Sequence, residues 1–527
     1  MKLYNNSIRD VRVRDYLPVR RIVWSNKAVN PEIFVDSYEN QIFSAPESAV
    51  CRLEKNGSIL VDFGIELHGG VRIHNTGDKS SGRIRLRFGE SVSEAMGEPN
   101  QDHSIHDTEL DVPLYGTLEY GSTAFRFLRI DNLGEPLKLL NIMAVSLTRD
   151  MNYDGSFESS DERLNKIWKT AVYTIHLNMQ EYLFDGVKRD RLVWMGDMHP
   201  EIRGILCAFS DTSVIRSSFD FLTEKHPLPQ PMRIYTYSCW WVIALFDYFI
   251  ATGDRGYLEK KRAYLTGLLE QFSSYVTPDG RDCVPEKRFL DWPTRENEQA
   301  KHAGIQGLLL WMMNSGEKLL KVLGEDTSKV CRAASLLKKH IPDCGNSKQA
   351  AALMTVSGLA DKSSVLLADP YKGVSTFYGF YMLLGQPTAN ALDLIRKYWG
   401  AMLDYGATTF WEDFDLDWIK NTTPITEMPV PEKDDLHKDF GNYCYKGLRH
   451  SLCHGWSGGP APFMSERVFG IRFLEPGGRK ITVDPDLGGL EYVKGSLPTP
   501  HGVIKIETDR SGKVKLDVPG DIEVCGR

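Results

Sequence analysis

"DGSFESSDERLNKIWKTAVYTIHLNMQEYL", residues 154–183, is where the periodicity of the chain changes. Upstream, apolar residues alternate with polar ones. Within this stretch they return at helical spacing, through Leu164, Ile167, Trp168, Val172, Ile175 and Leu177. A period of two gives a half-buried strand, whereas 3.6 gives a helix with one apolar face. Ser160 or Asp161 can accept hydrogen bonds from the unpaired N–H groups of the first turn. The stretch thus divides a β region from an α region.

Working outward toward the N-terminus, "SILVDFGIELHGGVRIHNTG" (58–77), "GRIRLRFGESV" (82–92), "FRFLRIDNL" (125–133) and "LKLLNIMAVSLTR" (137–149) alternate between Gly, Asn and Asp turns. They predict an antiparallel β-sandwich over residues 1–155. Toward the C-terminus, helical segments are predicted at 198–210, 213–225, 238–252, 255–276, 299–323, 327–340, 347–358, 374–385 and 388–403, making about ten with the first. Helical hairpins of similar length with no fixed sequence repeat favour a closed α/α toroid, placed at 156–470, over an open array. Beyond 471, "KITVDP", "LEYVKGSLPTPHGVIKIETD" and "GKVKLDV" return to strands, a small C-terminal β domain over 471–527.

A chain of 527 residues exceeds one hydrophobic core. Its 63 basic and 70 acidic residues are interspersed, with no basic block to track phosphates, so nucleic acid is not an expected partner. No run of about 18 apolar residues suggests a membrane span, and the N-terminus lacks the apolar core of a signal peptide. Nine cysteines, scattered singly without a CxxC pair, suit reduced thiols. A cytoplasmic protein is the expectation; a trimmed leader would leave the same sequence.

Chemistry concentrates in two acidic segments. "DGVKRDRLVWMGD" (185–197) sets three aspartates among cations and a tryptophan; with helix from about Lys188, Asp190, Trp194 and Asp197 share one face. "GATTFWEDFDLDW" (406–418) places Glu412 and Asp413 between tryptophans, a setting that raises a carboxyl's pKa when partly desolvated. Spacing alone leaves open whether those acids simply face water. "FLDWPTRE" (289–296), with Asp291 and Trp292, and "RHSLCHGWSGGPAP" (449–462), with His450 and His454, fall on predicted loops. The two histidines lack an HExxH context, so no metal is assigned. Tryptophans beside carboxylates suit a sugar, whose C–H face packs on an aromatic plane.

These motifs resemble, in order and content, the bacterial α-L-rhamnosidases of glycoside hydrolase family 78 over about residues 55–510. "VDFGIELHGGVRI" and "RLRFGES" match weakly; the two acidic motifs, "SLCHGWSGGPAPFMSERVFGI" and "PTPHGVIKI" carry the likeness. The resemblance implies an α/α six-hairpin barrel with flanking β domains, in agreement with the periodicity. It implies a general acid at Asp190, a general base at Glu412, and sugar contacts from Asp185, Arg189, Trp194, Asp197 and His454. Trp292 and Tyr237 resemble the family's stacking aromatics, with Asp291 beside them. Two departures stand out: the family acid is usually Glu where Asp190 stands, and "GVK" replaces a Cys-Pro-Gln type run.

The expected activity is inverting, exo-acting hydrolysis of a terminal α-L-rhamnosyl or similar deoxy-sugar residue, with no cofactor and a carbohydrate as partner. Burial beside Trp194 is expected to keep Asp190 protonated while Glu412 activates water across a gap of about 6.5–9.5 Å. Two alternatives remain: a non-catalytic carbohydrate-binding homologue, and another α/α-toroid glycosidase or lyase acting on acidic sugars.

Overall fold

A computed structural model describes residues 9–77, 82–98, 107–188, 190–437 and 447–525. The alternating N-terminal segments form seven strands of one sheet. Its axis is the 25-residue strand Cys51–Asn75, whose register shifts let it pair in turn with Arg21–Val29, Gly116–Asn132 and Leu137–Arg149. The expectation of a wholly antiparallel arrangement fails in one place, since Cys51–Asn75 and Leu137–Arg149 run parallel. Inward residues such as Val61, Phe63, Val71, Ile73, Phe125 and Leu128 form one apolar cluster.

Within residues 154–183 the helix spans Glu162–Asn178, capped by Asp161, whose carboxylate accepts the N–H groups of Arg163 and Leu164. All six of its periodic apolar residues are buried. The other expected helices form within a few residues of their expected bounds, among them Tyr235–Thr252, Glu298–Leu323 and Thr388–Asp404. Their apolar faces merge into one core with those of the C-terminal strands. No helix among the described residues is long and apolar enough to cross a membrane.

Two expectations need correction. Ser156–Ser159, expected at the head of the helical region, is a strand that pairs with Tyr492–Thr499, so the C-terminal four-stranded sheet recruits chain from the other side of the helices. The helix expected from Lys188 begins at Met195, with Trp194 as its extended N-cap. Residues 185–188 and 190–192 lie outside any helix, because Asp185 pairs both its N–H and its carboxylate with Leu192 and pinches the chain shut.

Candidate active site

Three chain segments lie side by side where the two acidic motifs meet. Glu412 donates its N–H to the Ser451 carbonyl (2.9 Å), and Ser451 returns its own N–H to the Glu412 carboxylate (3.2 Å). His454 donates its N–H to Phe410, Gly455 donates to the Asp185 carbonyl, and Gly186 bridges to His454. Backbone pairing therefore brings Asp185, Glu412 and His454 together. Trp456 fixes the floor by donating its indole N–H to the Glu412 carbonyl (2.8 Å) and stacking on Phe377 at 4.7 Å.

Asp197 joins them from the first turn of the helix Met195–Ala208, where the positive end of the helix favours a carboxylate. His454 Nε2 lies 3.1 Å from Asp197 Oδ1, and its Nδ1 lies 4.0 Å from Glu412 Oε1. One imidazole thus links two buried carboxyls. Burial, followed by the Glu412 and Asp190 charges, pushes the Asp197 carboxyl well above the usual range, against a lowering hydrogen bond from Tyr237. Asp185 is pushed the same way by burial and by Asp197. A third such acid, Glu201, went unnoticed in the sequence; it follows Asp197 by one helical turn and is also raised by burial, then by Asp197 and Asp185. The glycine after His454 is required there, since a Cβ at Gly455 would fall 1.4 Å from Glu201 Oε1.

Asp190 sits elsewhere than expected. It is exposed, in the loop rather than on a helix face, so the burial anticipated beside Trp194 is absent. Asp190 and Arg191 both hold left-handed backbone (φ 58° and 47°), a conformation that L side chains adopt only when the surroundings impose it. Arg191 donates to the Ser122 carbonyl of the N-terminal sheet (2.7 Å). The Asp190 charge still reaches Asp185 and Asp197. Arg189 lies outside the described residues.

The aromatic residues form one wall. Trp194 meets Tyr237 edge-on at 5.7 Å, Tyr237 meets Phe289 at 6.2 Å, and Phe289 meets Trp292 at 5.2 Å. Arg233 covers the outer face of Trp194. Asp291 supports this wall: its carboxylate accepts the Trp292 N–H (2.8 Å) and the Ser375 hydroxyl, capping the turn Trp292–Thr294. Its carboxyl is pushed up to about 6 by burial.

Buried carboxyls about one histidine, with Tyr237 of the aromatic row hydrogen-bonded to Asp197, are suited to acid–base chemistry. Residues 152–308 match the family model of the bacterial alpha-L-rhamnosidase six-hairpin glycosidase domain. The matched region holds the first acidic motif, Tyr237, Asp291 and Trp292. No curated protein matches the chain. Solved structures similar to it include the family 78 rhamnosidase of Bacillus sp. GL1 (TM-score 0.73, 19% identity, 94% of this chain and 55% of that one). A Klebsiella oxytoca rhamnosidase with rhamnose bound gives a TM-score of 0.70 at 20% identity, covering 87% of this chain and 96% of that one. The Streptomyces avermitilis α-L-rhamnosidase complexed with L-rhamnose gives 0.72 at 17% identity, over 97% and 49%. This chain therefore spans about half of two of these relatives and nearly all of the third. At such identities the likeness is one of fold: a six-hairpin glycosidase barrel with a multi-sheet β region.

Proposed function

We propose that the protein is a glycoside hydrolase that releases terminal α-L-rhamnosyl, or closely similar deoxy-sugar, residues with inversion. The observation that carries the reading is the Asp197–His454–Glu412 arrangement, into which the Asp190 charge also reaches. Glu412, held by the Ser451 N–H, activates water; Asp190, on its exposed turn, protonates the leaving oxygen. Asp185, Asp197 and His454 hold the sugar hydroxyls, Arg189 adding a cation. Trp194, Tyr237 and Trp292 pack against the apolar face of the ring. A cleft of about 600 Å³ beside Trp292 and Phe289 gives room for the rest of the substrate.

The test is turnover of aryl α-L-rhamnosides. Asp190→Asn should lose activity by orders of magnitude on a poor leaving group and recover with dinitrophenolate, which leaves without protonation. Glu412→Gln should fail on both, and NMR of the first-formed sugar should show the inverted anomer. The exposure of Asp190 favours one second reading, a carbohydrate-binding homologue without catalysis. Rhamnose binding with no turnover of even the dinitrophenyl substrate would establish that reading and remove the first.

A further inference from the structure

Resting on that assignment of Asp190 and Glu412, we infer that Glu90, a residue of the N-terminal sheet region, is a positioning residue that ties the two catalytic segments to each other. Glu90 follows the strand Gly82–Gly89 and is wholly buried. Its own backbone is fixed by Glu94, whose carboxylate accepts the Glu90 N–H at 2.8 Å.

The Glu90 carboxylate touches both sides of the site. On one side it accepts the Leu452 N–H at 2.6 Å and a longer contact from the Ser451 hydroxyl at 3.4 Å. Ser451 is the residue whose backbone N–H and carbonyl both pair with Glu412. On the other side Glu90 lies 3.3 Å from the ammonium of Lys188, two residues before Asp190. Lys188 is itself fully buried, with Glu94 at 2.8 Å and the His450 carbonyl accepting at 2.9 Å. The Lys188 contacts thus run to the N-terminal sheet and to the segment that carries His454.

The arrangement has a chemical consequence. The separation of the two carboxyl groups decides whether water or the enzyme attacks, and a misplacement of about 1 Å can cost about a hundredfold in rate. The segments carrying Asp190 and Glu412 arise far apart in the chain, and the Asp190 loop holds two left-handed residues in succession. Such a loop needs an external hold. A lysine with no access to water, facing two carboxylates, supplies one that does not slide as an apolar contact would. This also accounts for Lys188 within the "GVK" that departs from the family pattern.

The decisive variant is Glu90→Gln, Glu94→Gln and Lys188→Met together, because replacing every member of a buried charged cluster by neutral groups of similar size usually preserves folding, whereas removing only some of them strands a charge. The triple variant should melt within a few degrees of wild type and keep KM within about twofold, while kcat falls about tenfold or more. The fall should be larger on a phenyl than on a dinitrophenyl rhamnoside, since displacement of Asp190 matters only where protonation is needed. A folded triple variant with wild-type kcat on both substrates overturns the inference. So does a parallel loss of melting temperature, KM and kcat, the mark of a residue that only holds the fold. Failure of the underlying reading looks different: Glu412→Gln then keeps wild-type turnover, and the tether falls with it.

Discussion

Gly196, in the "WMGD" that opens the helix Met195–Ala208, offers a sharp test of how the aromatic wall is set. A Cβ at this position would stand 2.4, 2.5 and 2.9 Å from Cε1, Cζ and Cδ1 of Tyr237. Carbon atoms pack at about 3.5–4.0 Å, so the ring of Tyr237 must retreat by about 1 Å. It is hemmed in by Trp194 at 5.7 Å and Phe289 at 6.2 Å, and it is hydrogen-bonded to Asp197. Overpacking of this kind costs about 1–3 kcal/mol of stability. Displacing a substrate-positioning group by about 1 Å costs up to a hundredfold in rate, about 2.7 kcal/mol at the transition state. Gly196→Ala should therefore lower kcat/KM on an aryl rhamnoside by about 10- to 100-fold and lower the unfolding free energy by about 1–3 kcal/mol. With Tyr237→Ala already in place the clash is gone, and adding Gly196→Ala should cost less than about 0.5 kcal/mol. Wild-type kcat/KM in the single variant, or an equal penalty in both backgrounds, would refute the reasoning.

Other consequences follow from the same geometry. The Asp291 carboxyl, pushed up from 3.8 to about 6, keeps its proton in the folded protein where the unfolded chain has lost it, so its contribution is complete below pH 3.8 and disappears as pH rises through 6. The difference in unfolding free energy between wild type and Asp291→Asn should accordingly shift against wild type by about 2.4 kcal/mol between pH 4 and 7, read from denaturant titrations. Gly455→Ala drives a Cβ into the fully buried Glu201 carboxylate and should destabilise by about 3 kcal/mol or more. Shortening the acid in Gly455→Ala/Glu201→Ala should relieve much of that loss in a thermal melt. Trp292→Ala removes one end of the aromatic wall; KM on an aryl rhamnoside should rise severalfold with stability little changed, and an unaltered KM would remove Trp292 from the sugar site.

The site was legible in part. Asp185, Asp197, Glu412 and His454 were all chosen from motifs, and the structure brings them together around one imidazole. Asp190 was chosen with them but is exposed, because a helical face was assumed where the Asp185–Leu192 pairing makes a loop. Asp291 stands beside Trp292 in the motif, and its hydrogen bonds to its own turn and to Ser375 are visible only in the folded chain. Glu201 lies outside the quoted motifs, and Glu90 and Lys188, though inside them, gain their meaning from neighbours remote in sequence.

Periodicity is a local property, and what it governs was legible in the residues alone: the change from strand to helix near residue 160, a cap at Ser160 or Asp161, and the apolar face from Leu164 to Leu177; that both faces of the strand through 58–75 would be buried was not. These depend on side-chain spacing against a backbone repeat of 2 or 3.6 residues, which any short window contains. Only the tertiary structure decided that Ser156–Ser159 would leave the helical region to pair with Tyr492–Thr499, and that Glu90 would meet Lys188 and Leu452. Such pairings are choices among many chemically equal partners. Burial makes one of them much stronger than the rest by excluding water, and burial is a property of the assembled chain.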